Sequence, residues 1–84
     1  MTAQSVTVRL FAVLRERAGT AEIVISIEEG STVAQVLDRV FERYPQLRSF
    51  DAFLRTAVNA RYAARGTTVT DGDEVALISP VSGG

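Results

Sequence analysis

The chain has no cysteine and no histidine. Without cysteine there is no disulfide framework to staple the fold. Without either residue, the common metal-ligand sets and Cys/His nucleophilic catalysis are excluded. Lysine is also missing. All nine cationic side chains are arginine, at positions 9, 15, 17, 39, 43, 48, 55, 61 and 65. A genome that favours arginine accounts for this, and Ala and Val are abundant too. No apolar run approaches the roughly 18 residues needed to cross a bilayer. The start, Met1-Thr2-Ala3-Gln4-Ser5, lacks the basic segment and apolar stretch of a secretory signal. A soluble, cytoplasmic protein is expected. The net charge of −1 and pI near 5.3 carry no basic footprint for nucleic acid.

What is present is enough for one domain. The 84 residues are 46% hydrophobic, sufficient for a single core near the small end of what folds unaided. No repeat, linker or low-complexity segment interrupts them. Ser5 to Leu10 alternates, with Val6, Val8 and Leu10 on one face and Ser5, Thr7 and Arg9 on the other, which predicts a half-buried strand. Phe11 then falls on the outward face. Leu14 to Gly19 reads as a short helical turn closed by glycine. Ala21 to Ile27 is a second strand, paired antiparallel with the first. Thr32 and Gln35 fit a capping box, and Val33, Val36, Leu37, Val40, Phe41 and Tyr44 recur at helical spacing. Pro45 ends that helix near Tyr44. Leu47, Phe50, Phe53 and Leu54 are expected to pack down the less regular stretch from Gln46 to Thr56 as a loop with a short helical turn. Ala57 to Asn59 reads as a short strand, and Ala60 to Ala64 as a turn with another. Thr70 to Asp73 is a tight turn and Glu74 to Ile78 the last strand.

This order implies an α+β domain, a mixed sheet with one main helix packed across one face. A β-grasp, the ubiquitin-like architecture, fits best, with the first and last strands parallel at the centre. The domain would occupy residues 1–79 and a flexible extended tail residues 80–84. Pro80 cannot continue a strand ladder, and Gly83-Gly84 adopt conformations other residues avoid. The five residues beyond Ser79 reach roughly 17 Å when stretched. Such a tail can thread a narrow channel; a frayed terminus is the ordinary alternative. Asp71 and Asp73 flank Gly72 as turn residues rather than as a metal pair, and no metal site is expected. Glu28-Glu29 reads as a solvated turn, and Arg15 with Arg17 as a solvated face that could also meet an acidic partner.

Several segments together carry a resemblance: Val8 to Ala12 with Arg15-Glu16 and Gly19, Thr32 to Val36, Ala57 to Asn59, Thr70 to Ala76, and the ending Pro80-Val81-Ser82-Gly83-Gly84. On these the chain resembles the MoaD/ThiS family of ubiquitin-like sulfur carriers, and the molybdopterin branch most. Ser79 departs from it, since a second proline is common there, and residues 46–56 match only loosely. The resemblance implies that Gly84, with Gly83 before it, is the working group. An adenylating enzyme (MoeB-like) spends ATP to make an acyl-adenylate on the Gly84 carboxylate, which a sulfur donor converts to a thiocarboxylate. The large subunit of molybdopterin synthase (MoaE-like) then receives the tail Pro80-Val81-Ser82, and sulfur passes to the pterin precursor. No bound cofactor is implied. A cysteine-free chain cannot carry sulfur as a side-chain persulfide, which agrees with a terminal carrier. Carriers for thiamin, cysteine or tRNA thiolation, and ubiquitin-like protein modifiers, share the ending and remain alternatives. Alternation puts Phe11 and Ile78 outward on neighbouring strands, and the resemblance adds Tyr62 to the same partner-binding surface.

Overall fold

The computed structural model describes residues 3–79. Alternation decides the first strand, β1 (Gln4–Leu10), where Val6, Val8 and Leu10 are buried and the residues between them are not. A short helix, α1 (Ala12–Ala18), follows with Leu14 fully inside. Gly19 closes it in the left-handed region (φ 77°), its N–H donating to the Arg15 carbonyl at 2.9 Å. The second strand, β2 (Glu22–Ile27), pairs antiparallel with β1, setting Val6 opposite Ile25 and Val8 opposite Ile23 on the inner face.

The main helix, α2 (Val33–Arg43), begins with the expected capping box. Thr32 Oγ1 accepts from the Gln35 N–H at 3.4 Å, and Gln35 Oε1 accepts from the Thr32 N–H at 2.9 Å. Val33, Val36, Leu37, Val40 and Phe41 are buried against the sheet. Each such side chain contributes roughly 1.5–3 kcal/mol relative to exposure. Helical geometry stops at Tyr44, ahead of Pro45.

Pro45–Phe53 forms a 3₁₀ segment, more regular than the sequence suggested. Three residues per turn line up Leu47, Phe50 and Phe53. That row begins in the core and runs off its edge: Leu47 is buried, Phe50 half-buried and Phe53 56% exposed. Phe53 therefore does not pack the segment down. The chain then enters β3 (Arg55–Val58), which takes in Arg55 and Thr56 from the stretch expected to be irregular.

Strand β3 turns into β4 (Arg61–Tyr62) through Asn59 and Ala60, both at positive φ (50° and 70°). This is a two-residue hairpin of the type usually written Asn-Gly, with alanine in the second place. The loop after β4 returns along α2, with Val33 N–H bonded to the Thr67 carbonyl and Ala34 N–H to that of Arg65. The last strand, β5 (Glu74–Ile78), lies between β1 and β3, parallel to the first and antiparallel to the second. Sheet order is β2-β1-β5-β3-β4. One face is covered by α2; the other is open. This is the expected β-grasp.

Candidate docking face and strand exit

Period-two alternation sorts the strands into faces, and pairing brings the outward residues together. Leu77 pairs with Leu10 and Thr56, and Val75 with Val8 and Val58, all in the inner set. The residues between them form outer rows. One row runs Arg9, Ala76, Ala57, Tyr62 across β1, β5, β3 and β4. The next contains Ile78 opposite Arg55, and the β1–β5 register carried one step further sets Phe11 abreast of Ile78. Phe11 itself is extended (φ −122°, ψ 152°) and is the N-cap of α1, one residue beyond the strand.

Phe11, Ile78 and Tyr62 thus share the outer face, as alternation and the family resemblance indicated. Phe11 is 42% exposed and Tyr62 72% exposed, while Ile78 is half-buried. The 3₁₀ segment does not fold over them. Ala76 and Ala57 leave a low floor between the larger side chains. Exposed apolar residues gathered on one open sheet face are the ordinary mark of a partner surface.

Charge borders the patch on one side. Arg9 reaches Glu74 at 3.4 Å and Glu22 at 3.9 Å, and its guanidinium lies 5.9 Å from the centre of the Phe11 ring. Solvent-exposed ion pairs of this kind are worth about 0–1 kcal/mol each. Their effect here is orientation: Arg9 is held along the border of Phe11.

The lower end of β5 is fixed by the turn before it. Gly72, at φ 85°, donates its N–H to the Ser5 carbonyl, and Ser5 N–H donates to Asp71 Oδ1 at 2.8 Å. Asp73 Oδ2 accepts from the Thr70 N–H, and Asp73 Oδ1 from Asn59 Nδ2 at 2.9 Å. The Thr70 N–H foremost, and the Asn59 amide with it, hold the Asp73 carboxyl below its ordinary value of 3.8. Both aspartates are occupied as turn residues. Asn59 also accepts from the Glu74 N–H at 3.0 Å, tying the β3–β4 hairpin to the start of β5. Pinned at its start and flanked on both sides, β5 delivers the chain at Ser79 beside Phe11. Pro80, Val81, Ser82, Gly83 and Gly84, the remaining site residues named from sequence, lie outside the described residues.

Among the described residues, no group of His, Cys, Asp and Glu side chains is placed to hold a metal ion. None of the described helices is long and apolar enough to cross a membrane. Sequence reasoning missed Phe53, whose exposure follows from the 3₁₀ row described above. It also missed the placement of Arg9, for which no local signal exists, since Glu22 and Glu74 come from different strands.

A β-grasp with parallel first and last strands at its centre, an open apolar face and the chain leaving beside that face defines the ubiquitin-like class. The chain belongs to the ThiS family, whose model matches residues 8–84. It is 33% identical to the molybdopterin synthase sulfur carrier subunit of Arabidopsis thaliana, over 94% of this chain and 82% of that protein. Against the protein of the same name from Mycobacterium tuberculosis the identity is 35%, over 94% of this chain and 96% of the other. Among solved structures, small archaeal modifier protein 1 from Haloferax volcanii superposes with a TM-score of 0.85 at 35% identity, covering 95% of this chain and 99% of that one.

Proposed function

We propose that this chain is a sulfur carrier for molybdopterin synthesis, acting as the small subunit of molybdopterin synthase through the carboxyl group of Gly84. The observation that carries the reading is that β5, a central strand, ends at Ile78 beside an exposed apolar face in a ThiS-family chain whose sequence continues to Gly83-Gly84. The names of the relatives from Arabidopsis and Mycobacterium support the molybdopterin assignment.

The chemistry runs in three steps. A carboxylate oxygen of Gly84 attacks the α-phosphate of ATP on an adenylating enzyme; a C(O)–O–P bond forms and pyrophosphate leaves. Hydrosulfide released by a sulfur donor attacks the acyl carbon, AMP departs with the C–O bond electrons, the S–H proton passes to water, and a thiocarboxylate remains. In the large subunit the thiocarboxylate sulfur bonds to a carbon of the pterin precursor, an oxygen leaving group departs with that carbon's C–O electrons, and a thioester joins the two. Water then attacks the acyl carbon, the acyl C–S bond breaks with its electrons on sulfur, and the carboxylate is restored. In this reading the acid–base groups come from the partners. Phe11, Tyr62 and Ile78 dock the body, and Pro80, Val81 and Ser82 thread the partner's channel. ATP binds the adenylating enzyme, not this chain.

The test is intact mass after incubation with the adenylating enzyme, ATP and a sulfur source. Exchange of one oxygen for one sulfur at Gly84 is expected. An unchanged mass with an active enzyme and donor would refute the proposal. A second reading, a protein modifier joined through Gly84 to lysines of other proteins, is favoured by the likeness to small archaeal modifier protein 1. Isopeptide adducts carrying the Gly-Gly ending, in place of the thiocarboxylate, would decide for it.

A further inference from the structure

We infer that this protein is built as a donor only: its activated end can be captured by outside nucleophiles but not by its own side chains or those of a second copy. The inference rests on the reading that Gly84 becomes an acyl-adenylate. Such a mixed anhydride is open to any unprotonated amine or thiol that reaches it. The amine nitrogen would bond to the acyl carbon, AMP would leave with the C–O electrons, and the ammonium proton would pass to water. The sequence contains no side-chain amine and no side-chain thiol.

The geometry makes that absence consequential. Five residues, fully stretched, span at most roughly 17 Å. Arg55 pairs with Ile78, one residue before Ser79, and is exposed on the open face. Arg61 is exposed on β4, in the register row of Val58 and Val75. A lysine at Arg55 would stand beside the strand exit, and one at Arg61 would be open to the activated carboxyl of a second copy. Arginine keeps the positive charge, but its guanidinium stays protonated in proteins and so is no nucleophile. The remaining candidates, Ser, Thr and Tyr hydroxyls, are poor acceptors beside an amine.

Topology also sets the start of β1 far from the strand exit. Because β1 and β5 are parallel, the start of β1 and the exit of β5 lie at opposite ends of the sheet. Gln4 is six strand positions below Leu10, about 20 Å from the level where the chain leaves.

The experiment incubates the full chain with its adenylating enzyme and ATP, without a sulfur donor. Hydroxylamine goes into one arm and is omitted from the other. Wild type is compared with Arg55→Lys and Arg61→Lys by intact mass and peptide mapping. With hydroxylamine, all three are expected to form the Gly84 hydroxamate, which reports the acyl-adenylate directly. Without it, wild type should show no self-linked species. The lysine variants should give monomer lighter by one water, or dimer, with Gly84 joined to the new lysine. Hydroxamate formation with lysine variants as clean as wild type would overturn the inference, as would wild-type chains that link to one another. Failure of any chain to form hydroxamate would instead sink the acyl-adenylate reading, and the inference with it.

Discussion

Replacing Tyr62 with alanine separates a docking role from a structural one, because the two predict effects of different size in different assays. Tyr62 is 72% exposed, so of the roughly 200 Å² that such a ring can bury only about 50 Å² is covered by its own fold. At about 25 cal/mol per Å², the substitution removes about 1 kcal/mol of stability at most, a fall in Tm of roughly 4–8 °C for a domain this small. An aromatic anchor at the centre of an interface loses about 2 kcal/mol or more of binding when truncated, close to a 30-fold rise in Kd. Leu77 supplies the contrast. It is fully buried on the strand that delivers the tail, so Leu77→Ala should cost about 2–5 kcal/mol of stability. Denaturant unfolding measures the first quantity and calorimetric titration against the large subunit the second. If Tyr62→Ala unfolds as easily as Leu77→Ala while its folded fraction binds with wild-type affinity, the docking assignment for the outer face is wrong.

Deleting Gly84, or adding residues after it, should leave the unfolding midpoint unchanged and abolish thiocarboxylate formation; an extended chain that still supports sulfur transfer without trimming would count against the carrier mechanism. Ala60 sits at φ 70°, where an L side chain is strained, so Ala60→Gly should stabilise the hairpin by about 0.5 kcal/mol after the entropy cost of glycine; an unchanged midpoint in urea would refute that account. Asp73 has its folded-state value depressed, so its contribution is fully present above the ordinary value of 3.8 and is lost as pH falls through the lower folded one. The acid limb of unfolding should therefore flatten in Asp73→Asn, and an identical acid limb would show that Asp73 is not linked to folding. Thr32→Ala should cost about 1 kcal/mol through loss of the helix cap, read by thermal unfolding.

Local chemistry was enough to place most elements. The alternation at Val6, Val8 and Leu10, the Thr32/Gln35 cap, the stop at Pro45 and the positive φ at Gly72 each express a short-range rule, so β1, α2 and the last turn were legible one segment at a time. The hairpin at Asn59-Ala60 was blurred because alanine stands where glycine usually signals the turn. The 3₁₀ segment was hard to read for a related reason. Its period of three sets Phe53 in line with Leu47, and only the edge of the core decides that one is buried and the other not.

The chemical limits of this protein were settled by sequence alone. No thiol, imidazole or amine side chain exists in it, so cysteine, histidine and lysine chemistry are closed to its own side chains. The family was legible as well, because its marks lie in contiguous motifs. The tertiary structure decided what those motifs do together. Phe11, Tyr62 and Ile78 are far apart in the chain, and only the pairing of β1, β5, β3 and β4 sets them on one open face. Alternation names the face a residue takes within its own strand, but it cannot say which strands are neighbours. That depends on burying the inner faces of β1, β2, β3 and β5 under α2 together with Leu14 and Leu47, a condition no single segment can express.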